Sequence, residues 1–567
     1  MRRAIIVAIV VGMIAAGPQL AFLLFEKNYR GVMLSGASDE SHSLARIQEV
    51  IDGHKNLWSV YLADYRNDAA AALPGAELLL GWVANVTGLG PATLFLGGKF
   101  LFPSLAFLLV VLLVGRLTGS ALAALAGGSL VVLGTGLAGI FGGIGHDFLF
   151  FTRLPHPGFS ALFFFGWLFL LYRFFEERSL PWAAGSALFL ALLAYLYPFY
   201  WVFALGVSGI LLLWFFWGER DFRSAVIFGA AVGGALLADI SFLKVAFPFL
   251  GIPALPSAAV PGEGSLDLRR AFIESRVPVL DALVWLALIL FGAWYWRFRH
   301  SLEKPFLFLL FLLFGAILVS NQQLLSGRLV QVGHFYWFTN VPVAFLAMLV
   351  IGSKWIERVL GAAWEKRMLW IGIGVVFLFA IGVQAGSYQA HRAEALEIQR
   401  FGSVFSWLRR NVPKDSVVFA DERLSEWIPA STDANVYWSR YQAVYPAVPF
   451  ERLEHNLFLR MRLEGVEASR ARDWLLENRN EVGIWLFEGQ YFKDLCGSAA
   501  CFPDEVIDRL AKKYEAFFRR PFDEVLTSYD LDVFIWDTKN YPNWQIPRSS
   551  LLVETDRIGD FRIFRVK

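Results

Sequence analysis

For its size, this sequence is short of charge. Only 18% of its 567 residues are Asp, Glu, Lys or Arg, and 56% are hydrophobic. Soluble domains carry about 25% charged residues, so the deficit excludes an ordinary soluble protein. A cationic excess is missing as well, since 51 Lys and Arg against 49 Asp and Glu leave a net charge of +2. No basic stripe with interleaved aromatics is present, which gives no support to a nucleic-acid partner. Cysteine is nearly absent, with Cys496 and Cys501 alone in the chain. One CxxxxC without a second pair or a nearby His lacks a zinc ligand set, and a disulfide closing a small loop in an oxidising compartment is the better reading. No GxxxxGK[ST], HExxH or GxSxG occurs, so ATPase, zinc-protease and esterase readings have no support. Internal repeats and low-complexity linkers are missing too.

Long apolar runs fill the chain up to about Tyr388. They cover roughly 4–25, 97–114, 120–141, 158–175, 181–197, 199–217, 223–246, 278–296, 305–320, 338–352 and 368–388, about eleven spans by the ~20-residue rule. The 53 Phe and 21 Trp suit lipid-facing surfaces and interfacial belts. With the N-terminus inside, the cytoplasmic connections hold Arg116, Arg173, Arg178, Arg220, Arg223, Arg297, Arg299, Lys304, Lys354, Arg358, Lys366 and Arg367. The outer connections at 142–157 and 321–337 hold one Arg each. This is the positive-inside bias; the outer loop 247–277 departs from it, with three Arg offset by three acids. The expected fold is therefore a polytopic α-helical membrane protein with a C-terminal soluble α/β domain. Residues 1–390 form the membrane part, 26–96 its first extracytoplasmic loop, and 391–567 the extracytoplasmic domain. In that last domain SVFSWLRRNVP, 467–478 and 504–519 read as helices, and DSVVFAD, VGIWLF, VFIWD and FRIFRV as strands.

Three outer segments gather polar and ionisable groups. The first, SGASDESHSLARIQEVIDG, holds Asp39, Glu40 and His42 ahead of an amphipathic stripe of Leu44, Ile47 and Ile51. The second, GGIGHDFLFFTRLPHPGFS, holds His146, Asp147, Arg153 and His156. The third, SNQQLLSGRLVQVGHFYWF, holds Gln322, Gln323, Arg328 and His334. Lys99 and Lys244 fall near the outer ends of their spans. Ionisable groups at membrane depth cost several kcal/mol unless paired or wet, so they mark a site by default. Each has a plainer reading beside that one. Asp39 stands where a helix N-cap belongs, Lys99 has the reach to snorkel, His146 and Asp147 read equally as a polar loop pair, and His156 and His334 as interfacial anchors. Arg153 and Arg328 fit phosphate best, because a guanidinium matches its geometry.

With SDESHSLARIQE following the first span, the chain resembles the GT-C superfamily of membrane glycosyltransferases, which includes protein O-mannosyltransferases and bacterial aminoarabinose transferases. The resemblance implies an acidic motif in the first outer loop with Asp39 as general base and Glu40 as its companion. It also implies a polyprenyl-phosphate sugar donor and a glycan, lipid or protein acceptor at the outer face of a bacterial inner membrane. On this reading Arg153, Arg328, Lys99 and Lys244 hold the donor phosphate. His42, His146, Asp147, His156, Gln322, Gln323 and His334 line the substrate, and a divalent metal is a possible cofactor. The competing readings are a transporter or flippase and a non-catalytic assembly protein for lipid-linked glycans. A transporter predicts repeats and mid-span charges, whereas these polar groups gather at one face.

Overall fold

The computed structural model describes residues 2–567 apart from 37–38, 55–56, 58, 68–73, 140–146, 242–275, 299–302, 328–331, 446–447, 488–503 and 548. His146, Lys244, Arg328 and the Cys496/Cys501 pair lie outside the described residues.

Every one of the eleven apolar runs contains a helix. Helix α1 is Arg2–Phe25, α4 is Pro91–Thr118 and α5 is Ala121–Leu133. Ser160–Glu177, Leu180–Leu196, Pro198–Leu213, Phe222–Ala238, Ala282–Phe298, Lys304–Ser320, Val341–Leu360 and Ala362–Ile398 follow. Six of the described helices are long and apolar enough to cross a membrane, and four more are shorter apolar helices. Apolar side chains stay exposed on their outer faces, among them Ile6, Trp217, Leu237 and Leu378. A surface of that kind is stable in lipid and not in water. The chain is a multi-pass membrane protein.

The connections that the charge bias groups on one side also meet in space. Arg116 pairs with Glu176 at 2.7 Å, Arg178 with Glu219 at 2.8 Å, and Lys304 donates to the Glu176 carbonyl at 3.1 Å. Two helices lie in the first long connection: α2, Glu40–Ile51, and α3, Gly75–Thr87. Leu44 and Ile47 of α2 are fully buried, each contributing about 1.5–3 kcal/mol by leaving water.

The 37-residue helix Ala362–Ile398 runs through position 390 and delivers the chain to a five-stranded sheet. The strands are β1 (Val417–Phe419), β2 (Asn435–Val436), β3 (Val533–Asp537), β4 (Leu552–Ile558) and β5 (Phe561–Val566). Their order is β2-β1-β3-β5-β4, parallel from β2 to β3 and antiparallel beyond. One expectation fails here, because VGIWLF belongs to the helix Arg479–Phe487 and is not a strand. Val482, Trp485 and Leu486 are buried at helical spacing, and a short apolar run satisfies either period.

A single apolar core joins this sheet layer to the first connection, with Leu44, Ile47, Tyr61 and Leu80 packed among Phe401, Ile428 and Phe458. Backbone pairing reinforces it, since the Val436 N–H donates to the Tyr61 carbonyl at 3.0 Å. The Gln399 side chain accepts from the Arg30 N–H at 2.9 Å and donates to the Val32 carbonyl at 2.7 Å. Gly402 is required in this junction, because a Cβ there would lie 2.4 Å from the Arg30 carbonyl oxygen.

Candidate active site

The site is assembled from two pairs of consecutive residues. Asp39 and Glu40 open α2, and Thr152 and Arg153 lie in the connection between α5 and Ser160–Glu177. Asp39 holds the N-cap position, yet its carboxylate makes no capping hydrogen bond. It accepts instead from Arg153, Nε on Oδ1 at 3.1 Å and Nη2 on Oδ2. This is the bidentate fork a guanidinium makes with a carboxylate. The capping reading of Asp39 is thereby set aside.

Glu40 points the other way, into the membrane part. It pairs with the Lys99 ammonium from α4, and the Ser35 hydroxyl donates to its second oxygen at 2.9 Å. Lys99 also donates to the Thr152 carbonyl at 3.0 Å. Glu40 and Lys99 side chains are each 1% exposed, whereas Asp39 is 45% exposed and Arg153 38%. Lys99 therefore does not snorkel to the surface. The chain carries one closed ion pair and, directly beside it, one open pair. Gly36 lets the preceding loop lie flat on Phe148, for a Cβ there would sit 2.2 Å from the ring.

Aromatic and imidazole rings surround the open pair. His156 stacks on Tyr197 at 4.6 Å, and His334 accepts or donates at the Tyr197 hydroxyl while stacking on Phe199 at 4.4 Å. Burial pushes His156 down to about 4, against the pull of the Glu77 and Asp39 charges, so it is neutral at pH 7. For Arg153, burial is the largest influence and works against its charge, but the carboxylate of Asp39 outweighs it and raises the pKa. On the far side of Asp39, the Ser41 and Tyr441 hydroxyls donate to Glu426 at 2.9 and 3.1 Å. That contact ties the start of α2 to the C-terminal domain. His42 lies behind it, stacked on Tyr61 at 5.6 Å and beside Tyr441 and Tyr445. Burial, then the Arg46 charge, lowers it well below the usual range.

The remaining expected residues lie elsewhere. Gln323 donates to the Val277 carbonyl at 2.9 Å and Gln322 accepts from Ser326 at 2.8 Å, so both are tied to segments around 277 and 326. Asp147 is exposed, and its carbonyl receives the Ser387 hydroxyl at 2.7 Å. Tyr197, Ser35, Thr152, Glu426 and Tyr441 belong to the neighbourhood and carry no signal in the sequence that separates them from packing residues. Among the described residues, no three His, Cys, Asp or Glu side chains converge as metal ligands. Both carboxylates of the acidic pair are already engaged by cations. No step below runs through the divalent metal considered from the sequence.

Neither the family models nor the curated proteins compared with the chain match it. Solved structures do. The chain aligns over 95% of its length with 69% of the apo Archaeoglobus fulgidus oligosaccharyltransferase, at 12% identity and a TM-score of 0.47. It aligns over 99% with 97% of ArnT from Cupriavidus metallidurans bound to undecaprenyl phosphate, at 11% identity and a TM-score of 0.45. Over 74% it aligns with 42% of the arabinosyltransferase EmbB from Mycobacterium smegmatis, at 15% identity and a TM-score of 0.37.

Proposed function

We propose that this chain is a GT-C-type glycosyltransferase that moves a sugar from a polyprenyl-phosphate donor to a hydroxyl of a lipid, glycan or protein. The reaction takes place at the outer face of a bacterial inner membrane, with the C-terminal domain on that side. The observation that carries the proposal is the half-open Asp39–Arg153 pair, set on the first turn of α2 next to the buried Glu40–Lys99 pair. An accessible carboxylate serves as a general base, and a guanidinium within reach of it serves as a phosphate ligand.

In the transfer, Asp39 takes the proton of the acceptor hydroxyl as its oxygen bonds to the anomeric carbon. The bond from that carbon to the phosphate oxygen breaks, and the phosphate departs with the electron pair. Arg153 stabilises the charge that develops on the leaving group. Glu40 and Lys99 are positioning residues, because their mutual burial fixes the start of α2 against α4 and the Thr152 carbonyl. His156, neutral at working pH, and His334 wall the site with Tyr197 and contribute shape rather than charge.

Asp39→Asn preserves size and removes the base. Transfer from a polyprenyl-phosphate sugar by the purified full chain is expected to fall by about 10²–10⁴-fold, with its unfolding midpoint unchanged. Wild-type turnover by Asp39→Asn would remove Asp39 from the mechanism.

A further inference from the structure

Two acid–base pairs stand side by side here, and only one of them is free to exchange partners. Glu40 and Lys99 are each 1% exposed, and each makes one further hydrogen bond, Glu40 accepting from the Ser35 hydroxyl and Lys99 donating to the Thr152 carbonyl. Removing either from the other strands a buried charge. Asp39 and Arg153 are 45% and 38% exposed, so water and ligands reach both. An ion pair at that exposure is worth little in net free energy. Asp39 occupies the Nε–Nη2 edge of Arg153. That edge is one of the two that a guanidinium can present to a phosphate.

From this geometry we propose that the donor phosphate and the Asp39 carboxylate compete for the Arg153 guanidinium, and that donor binding is what frees Asp39 to act as base. The inference rests on the function proposed above. Without donor, both Asp39 oxygens are held by its own cation. The donor's phosphodiester carries one charge and two free oxygens, as the carboxylate does, so the two are matched competitors for that edge of the guanidinium. With the donor on that edge, Asp39 has two free oxygens beside the scissile bond. The closed Glu40–Lys99 pair holds α2 in place during the exchange, so Asp39 is released without being displaced. No bond to carbon or phosphorus forms or breaks in this step, and no proton moves.

The test is equilibrium binding of farnesyl phosphate, a short polyprenyl monophosphate, to the full chain in nanodiscs, with farnesol as the uncharged control. Arg153→Gln is expected to weaken binding by roughly tenfold or more, a hydrogen-bonded charge pair being lost. Asp39→Asn, relieved of competition, is expected to bind about two- to fivefold tighter than wild type, the range of an exposed ion pair. In the Arg153→Gln background, Asp39→Asn is expected to change nothing. Tightening of equal size in both backgrounds would mean bulk Coulomb attraction and overturn the exchange, as would unchanged or weaker binding by Asp39→Asn. Arg153→Lys, which keeps the charge and loses the fork, completes the cycle should Arg153→Gln not fold. Wild-type binding equal to that of farnesol would instead defeat the donor reading itself. Arg153-dependent binding without tightening in Asp39→Asn defeats the exchange alone.

Discussion

Replacing Lys99 by Met tests the closed half of the site most sharply. Lys99 and Glu40 are both 1% exposed, so the substitution leaves a carboxylate in a dry site without its cation, the Ser35 hydroxyl still donating to it. Breaking a buried pair from one side costs about 3–5 kcal/mol. Adding Glu40→Gln removes the second charge, and the double variant is expected within about 1–2 kcal/mol of wild type. Unfolding midpoints in nanodiscs at pH 7.5 supply the readout. Lys99→Met as stable as wild type at pH 7.5, or a double variant as unstable as the single one, would refute the buried pair.

Other consequences concern the junction between α2 and the C-terminal domain. Burial pushes Glu49 up to about 7, with Arg66 pulling it down and Asp52 and Asp415 adding to the rise. A carboxyl raised in the folded state favours folding when protonated, so this contribution fades as pH climbs from about 4.5 to about 7. Amide hydrogen exchange over 40–51, corrected for intrinsic rates, is expected to quicken across that window, and Glu49→Gln to flatten the profile; an unchanged profile in the variant would place the titration elsewhere. Arg452 is buried with its guanidinium 3.6 Å from the Tyr529 ring centroid and 4.4 Å from that of Tyr437, and it donates to the Tyr437 carbonyl at 2.8 Å. Arg452→Lys keeps the charge and loses the planar stack, so a loss of about 1–3 kcal/mol is expected; a wild-type midpoint would show that the stack contributes nothing.

Much of the architecture was legible because lipid imposes one rule on every span. A run of apolar residues long enough to cross must satisfy its backbone internally, and all eleven runs contain helices. The stripe of Leu44 and Ile47 identified α2 for the same reason, through burial of one face. VGIWLF misled because a six-residue apolar run fits a buried helix as well as a strand. Strand β2 was invisible at two residues, and β4 carries charged, exposed side chains along an edge.

Composition and pattern alone determined that this is a multi-pass membrane protein with a polar α/β tail, and that its chemistry-bearing residues gather in a few short connections. Only the tertiary structure decided which of them meet. Asp39 and Arg153 are 114 positions apart, and Glu40 and Lys99 are 59. Adjacent carboxylates met opposite fates, one sealed and one open, because successive residues at a helix start point in different directions. That division depends on which neighbour each of them meets, Lys99 of α4 for Glu40 and Arg153 of the connection before Ser160–Glu177 for Asp39, a fact of packing that no local pattern encodes.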